Sequence, residues 1–261
     1  MGRLQGLRAV VTGSTSGIGK AIAQMFAAEG ASVAVHGIED SDGLAVVEAI
    51  RAAGGKAQYL HADLAVPTEC ERLIAQAVDA LGGLDVLVNN AAVVPRGGLE
   101  QADAAAFDAV MAVNARAPLL LVRAALRAFQ ESGGGVVLNI GSVNACCGEA
   151  GLLVYSMSKG ALMTMTRNLS DALGPEGVRV NQLNLGWVLT EREQIDQERA
   201  GNPPDWPSHV SRKFAPSGKL FSPEEIARYA VAFVEPGGFV SGSVVDIHQY
   251  PILGRNPPKT P

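Results

Sequence analysis

Charge is scarce in this sequence. Only 18% of its 261 residues are Asp, Glu, Lys or Arg, and 26 acidic against 21 basic side chains leave a formal net charge of -5. An acidic chain repels a phosphate backbone at long range, so nucleic acid is not expected as a partner. Cysteine is scarce as well: Cys70, Cys146 and Cys147 are odd in number and two are adjacent, which excludes a disulfide framework and the spaced ligand pairs of a zinc site. The four histidines, His36, His61, His209 and His248, show no ligand spacing either, so no metal is expected. Few thiols and no framework fit a reducing, cytoplasmic setting. Long hydrophobic runs are also missing. The charge-free stretch 132–148 is broken by Gly133, Gly134, Gly135, Asn139, Gly141 and Asn144, the leucine run near Leu119 is cut by Arg123 and Arg127, and residues 9–11 are too short for a signal-peptide core. No membrane span and no export signal are expected. With 48% apolar residues, the chain has ample material for a core and too little charge for disorder.

What is present is an alternation. Residues 8–12 read as a strand, a glycine turn follows, and 18–28 carry apolar residues at helical spacing until Gly30. The unit recurs with strands at 32–36 and 58–61, a helix face marked by Leu44, Val47 and Ile50, and a helix over 67–81. It continues with strands at 85–89, 136–140 and 179–185, a long helical region over 103–129 and a helix over 155–173. Ser222 and Pro223 cap a helix ending at Phe233, and 243–247 read as a seventh strand. Strands alternating with helices need right-handed crossovers, which predicts an α/β fold: one doubly wound parallel sheet with helices on both faces, in a single domain over 1–261. The polar stretch 187–220, with Pro203, Pro204 and Pro207, breaks the rhythm and reads as a segment covering a substrate. Residues 248–261 form a tail rich in proline.

The turn Thr12-Gly13-Ser14-Thr15-Ser16-Gly17-Ile18-Gly19 lies between the first strand and the first helix, where glycines let a dinucleotide pyrophosphate approach the backbone and meet the helix N-terminus. Its Gly-x-x-x-Gly-x-Gly spacing resembles the short-chain dehydrogenase/reductase family, a Rossmann-like fold. Further motifs agree in order: Asp63-Leu64 after the third strand, Asn89-Asn90-Ala91-Ala92, Asn114, Ser142 and Tyr155-x-x-x-Lys159. The resemblance runs from about residue 7 to 247.

It implies cofactor contacts from Gly13, Ser14, Ser16, Gly17, Ile18 and Gly19, with Asp63 and Leu64 near the adenine and Asn90 and Ala91 beyond the fourth strand. Gly186, Val188 and Thr190 would meet the nicotinamide end, although Leu185 stands where the family has a proline. At the end of the second strand neither a carboxylate nor an arginine occupies the position that chooses between NAD and NADP. Glu39, about twenty residues past the turn, is placed to reach the ribose, and without a cation for a phosphate the reading leans to NAD over NADP.

A tyrosine with the ordinary pKa of ~10 is a poor base near neutrality. Lys159, one helical turn from Tyr155, is expected to favour the phenolate. The resemblance further gives Lys159 the nicotinamide ribose, Ser142 the substrate oxygen and Asn114 a water that relays the proton. Cys146 and Cys147 read as small lining residues. The expected function is an NAD(P)-dependent dehydrogenase of a secondary alcohol, with a sugar or polyol as the small-molecule substrate because the covering segment is polar. An NADPH-dependent reductase of 3-oxoacyl thioesters or other ketones is the alternative, and a non-catalytic nucleotide-binding regulator is the reading from another class. The family also implies a homotetramer through 103–129 and 155–173.

Overall fold

Each strand is a short apolar run whose alternate residues are sorted between two cores, one on each face of the sheet. On β1 (Arg8–Val11), Ala9 and Val11 join Val33, Val35, Val88, Leu138 and Leu183 on one face, while Val10 joins Ala34, Leu87, Val137 and Val180 on the other. Burial on both faces is what an all-parallel sheet requires. The structure is a computed structural model and describes residues 2–250. Its other strands are β2 (Ser32–Gly37), β3 (Lys56–His61), β4 (Val86–Asn89), β5 (Gly135–Ser142), β6 (Val178–Leu185) and β7 (Val244–Ile247). All pair in parallel, in the order β3-β2-β1-β4-β5-β6-β7. The chain works outward from β1 to β3 and then crosses back to β4, so the crevice beyond the C-terminal ends of β1 and β4 is the switch point where such sheets take ligands.

The helices, in chain order, are α1 (Gly17–Ala28), α2 (Asp40–Ala52), α3 (Pro67–Leu81), α4 (Ala104–Met111), α5 (Ala117–Glu131), α6 (Asn144–Cys147), α7 (Leu153–Leu173), α8 (Glu191–Arg199) and α9 (Pro223–Val234). Helices α1, α2 and α9 cover the face holding Val11, and α3, α5 and α7 cover the face holding Val10. The Ser222 hydroxyl accepts from the Glu225 N–H while the Glu225 carboxylate accepts from the Ser222 N–H, a reciprocal cap that starts α9.

Several expectations need correction. The helical region 103–129 is not continuous: α4 ends at Met111, and a π-turn over Ala112–Arg116 precedes α5. Leu44 does not mark the buried face of α2, which is made by Gly43, Val46, Val47 and Ile50. The stretch Ala104–Glu131 is long and apolar enough to cross a membrane by length and composition, with a window of mean hydropathy 1.5. Ala117, Leu121, Val122, Ala125, Ala128 and Phe129 are nevertheless spent on the sheet, as in a core helix. The seventh strand begins at Val244. Of the tail, 251–261 lie outside the described residues.

Candidate active site

The glycine turn is built for close approach. Gly13 and Gly17 take left-handed φ of 61° and 51°, where a side chain is strained. A Cβ on Gly13 would stand 2.8 Å from the Ala91 Cα, and one on Gly19 would run into the Gly13 carbonyl and the Asn90 amide. That amide donates to the Thr12 and Gly13 carbonyls at 2.9 and 3.0 Å, while the Thr12 hydroxyl accepts from the Asn90 and Ala91 N–H groups. The turn is thereby clamped to the end of β4. Ser16 precedes α1 without a side-chain bond back to the helix, which leaves the first-turn N–H groups for an anion.

Gly13, Ser16, Gly17, Ile18, Gly19, Asp63, Leu64, Asn90, Ala91 and Thr190 all line one cleft of about 1020 Å³ at the switch point. Backbone donors and a glycine cradle fit a nicotinamide dinucleotide. Ser14 does not belong to that wall: it is buried, donating to the Val11 carbonyl at 2.7 Å and accepting from the His36 N–H at 3.0 Å. Glu39 is exposed at the start of α2, one residue past Ile38, where the wall ends. Gly186 lines the adjoining pocket instead, and Val188 is buried beside Phe221.

The second cavity, of about 890 Å³, lies at the C-terminal ends of β5 and β6. Ser142, the last residue of β5, and Tyr155, in the first turn of α7, share its wall, and Thr190 and Arg192 line both cavities, so the two join. The Tyr155 hydroxyl is hydrogen-bonded to Ser142. Burial pushes the phenol up to about 12, the Ser142 bond opposes this, and the Glu149 charge adds to it. Lys159 is 3% exposed, with Nζ donating to the Ile140 carbonyl at 2.8 Å and standing 5.6 Å from the Tyr155 ring centre. Burial pushes it down to about 8. Desolvation is thus the dominant influence on the phenol, and the Ser142 bond is what favours the phenolate against it.

Asn114 sits in the π-turn and spends its side chain on structure. Its Oδ1 accepts from the Val93 N–H at 2.9 Å, and its Nδ2 donates to the Val93 carbonyl at 2.9 Å and the Ser158 hydroxyl at 3.1 Å. This pins the loop that follows β4 to α7, the helix that carries Tyr155 and Lys159.

Over the pocket, the Thr190 hydroxyl caps α8 by accepting from the Glu193 N–H at 3.1 Å. Glu193 Oε1 accepts from Trp187 Nε1 at 2.9 Å and Gln197 Nε2 at 2.7 Å, and meets Arg96 at 3.4 Å from the opposite rim. Trp187 stacks on Trp206 at 4.9 Å and meets Phe214 edge-on at 5.5 Å, and Phe214 packs on Tyr250. Sequence reading missed this arrangement because the aromatic residues lie far apart in the chain. His36 was missed too, having been considered only as a metal ligand.

The family model of short chain dehydrogenases matches residues 8–200. The chain belongs to the short-chain dehydrogenase/reductase family. It is 36% identical over 245 residues to an uncharacterized oxidoreductase of Thermotoga maritima, covering 93% of this chain and 96% of that one. It is 34% identical over 229 residues to a 2,5-dichloro-2,5-cyclohexadiene-1,4-diol dehydrogenase of Sphingobium indicum, covering 88% and 89%. Among solved structures, a 3-oxoacyl (acyl-carrier-protein) reductase of Agrobacterium tumefaciens with NADP bound superposes with a TM-score of 0.85 at 29% identity, covering 94% and 93%. The short-chain dehydrogenase fold and the oxidoreductase class follow, with a nicotinamide dinucleotide as the family's cofactor.

Proposed function

We propose that this protein is a dehydrogenase of a secondary alcohol, with a sugar or polyol as substrate. The reading is carried by one arrangement: Ser142 and Tyr155 on the wall of a pocket, half polar and half apolar, that opens through Thr190 into the glycine-turn cleft. A bound nicotinamide supplies the hydride acceptor and, when oxidised, a positive charge beside the pocket. Tyr155 Oη takes the proton of the substrate hydroxyl as the carbinol hydrogen departs, and Ser142 Oγ holds the same oxygen. Lys159 supplies positive charge one turn away, and Asn114 keeps α7 in register.

Asn144, Glu149, Glu193 and Asp196 offer acceptors around the pocket, Arg96 and Arg192 offer donors, and the faces of Trp187 and Phe214 suit the C–H side of a ring. The diol dehydrogenase relative supports a substrate bearing more than one hydroxyl. For the cofactor we favour NAD. Among the described residues, the wall at the end of β2 is made of Thr15, His36, Gly37 and Ile38, with no lysine or arginine for a 2′-phosphate, and the cleft's arginine, Arg192, comes from α8. The NADP-bound reductase favours the second reading, an NADPH-dependent ketone reductase.

Both readings are tested by following NAD⁺ and NADP⁺ reduction across polyols, sugars and simple secondary alcohols. Tyr155→Phe is expected to lower kcat by about 10²–10⁴-fold while leaving cofactor affinity nearly unchanged. Turnover retained by that variant would overturn the catalytic assignment, and activity confined to NADPH and apolar ketones would select the reductase. We further propose a cytoplasmic homotetramer, in keeping with three cysteines that are all thiols.

A further inference from the structure

We propose that His36 is a positioning residue for the dinucleotide turn, holding the Gly13 N–H with a neutral imidazole whose proton is on Nε2, and so setting cofactor affinity. The inference rests on the cofactor cleft proposed above and adds to it a side chain that no glycine motif carries.

His36 lies on β2, 3% exposed, and is among the residues that line the cleft. Nδ1 is 3.0 Å from the Gly13 nitrogen, and Nε2 is 3.0 Å from the Ala62 carbonyl oxygen. A backbone N–H can only donate and a carbonyl can only accept, so the partners themselves fix the tautomer: Nδ1 accepts and Nε2–H donates. Backbone bonds reinforce the ring. The Ser14 N–H donates to the His36 carbonyl at 2.8 Å, and the His36 N–H donates to the Ser14 hydroxyl at 3.0 Å.

One residue therefore joins the first bend of the turn, the end of β2 and the exit of β3. Gly13 needs such a hold, because its left-handed φ of 61° and its closeness to Ala91 leave the peptide little choice of position. Burial, with a smaller contribution from His61, pushes the imidazole down to about 4, so the ring stays neutral and keeps its accepting nitrogen across the neutral range.

Three variants separate the two ring contacts. The Asn amide of His36→Asn places an acceptor where Nδ1 stands, the longer amide of His36→Gln reaches only the Nε2 position, and His36→Leu offers neither. NADH and NADPH binding are measured by calorimetry on each folded protein, alongside kcat at saturating cofactor and the melting temperature. The inference expects His36→Asn to bind within about threefold of the parent and the other two at least about tenfold more weakly, with kcat unchanged. A merely structural role would rank the variants by melting temperature and leave affinity flat, and that result overturns the inference.

Should the variants not fold, ¹⁵N-edited spectra of the parent's imidazoles at pH 6 decide: a neutral Nε2–H ring is expected, and a protonated or Nδ1–H ring overturns it. A parent protein that binds neither dinucleotide would overturn the proposed function as well. That pattern is distinct from a parent that binds and variants that bind equally.

Discussion

At Tyr155 two physical effects oppose each other, and their balance sets the direction of the pH profile. Burial raises the phenol to about 12 and the Glu149 carboxylate pushes the same way, while the Ser142 bond stabilises the phenolate. Alcohol oxidation needs the phenolate, so its rate rises with pH through the neutral range, by up to tenfold per unit below the governing pKa. Ketone reduction needs the phenol, which is fully populated there, and is expected to stay flat. Removing the Glu149 charge lowers the tyrosine's pKa and increases the phenolate fraction at any pH below it. Glu149→Gln is therefore expected to move the rising limb of kcat for oxidation toward lower pH, seen as a higher rate at every pH between 6 and 10 with the slope unchanged. A limb that stays in place would show that Glu149 does not act on Tyr155.

The strand–turn–helix unit explains why some of the site was legible in the sequence. Glycines at 13, 17 and 19 after an apolar strand carry a backbone requirement that survives translation into letters, and the positive φ values and close contacts meet it. Gly19→Ala tests this at the level of the element, because its Cβ would displace the Gly13 carbonyl or the Asn90 amide. We expect cofactor dissociation constants to rise about tenfold or more with far-ultraviolet circular dichroism unchanged, since a clash of this kind costs on the order of 1–3 kcal/mol. Unchanged affinity would mean that the turn does not seat the dinucleotide.

What the letters did not carry is which turn residue faces inward. Ser14 is drawn into the core by a local bond to Val11 and by His36, a contact made only once β1 and β2 lie side by side. The break between α4 and α5 was hidden for a similar reason. The apolar pattern runs straight through it, and the π-turn is held by the bonds of Asn114 to Val93 and Ser158, which are distant in sequence. The pairing of Ser142 with Tyr155 was legible only as an ordered set of motifs, because each alone is common.

Over the whole molecule, the distribution of exposed apolar side chains bears on assembly. Phe107, Leu119 and Met157 are exposed on α4, α5 and α7, which lie together on one side of the sheet. Leu119 is 46% and Met157 50% exposed, although each helix buries its opposite face in the core. A second apolar surface lies beside the edge strand β7, where Phe239 is 97% and Val240 52% exposed. Were each of these surfaces to pair with its counterpart on a second copy about a twofold axis, the chain would close as a tetramer of D₂ symmetry, the assembly proposed above. Light scattering is expected to find four copies of the 27.0-kDa chain. Leu119→Lys and Phe239→Asp, each placing a charge in one interface only, are each expected to reduce the particle to a dimer, and the double variant to a monomer, because a charge buried without a partner costs more than such a contact returns. A monomeric parent protein would reject the assembly outright. A parent tetramer that both single variants leave intact would place the interfaces elsewhere on the surface.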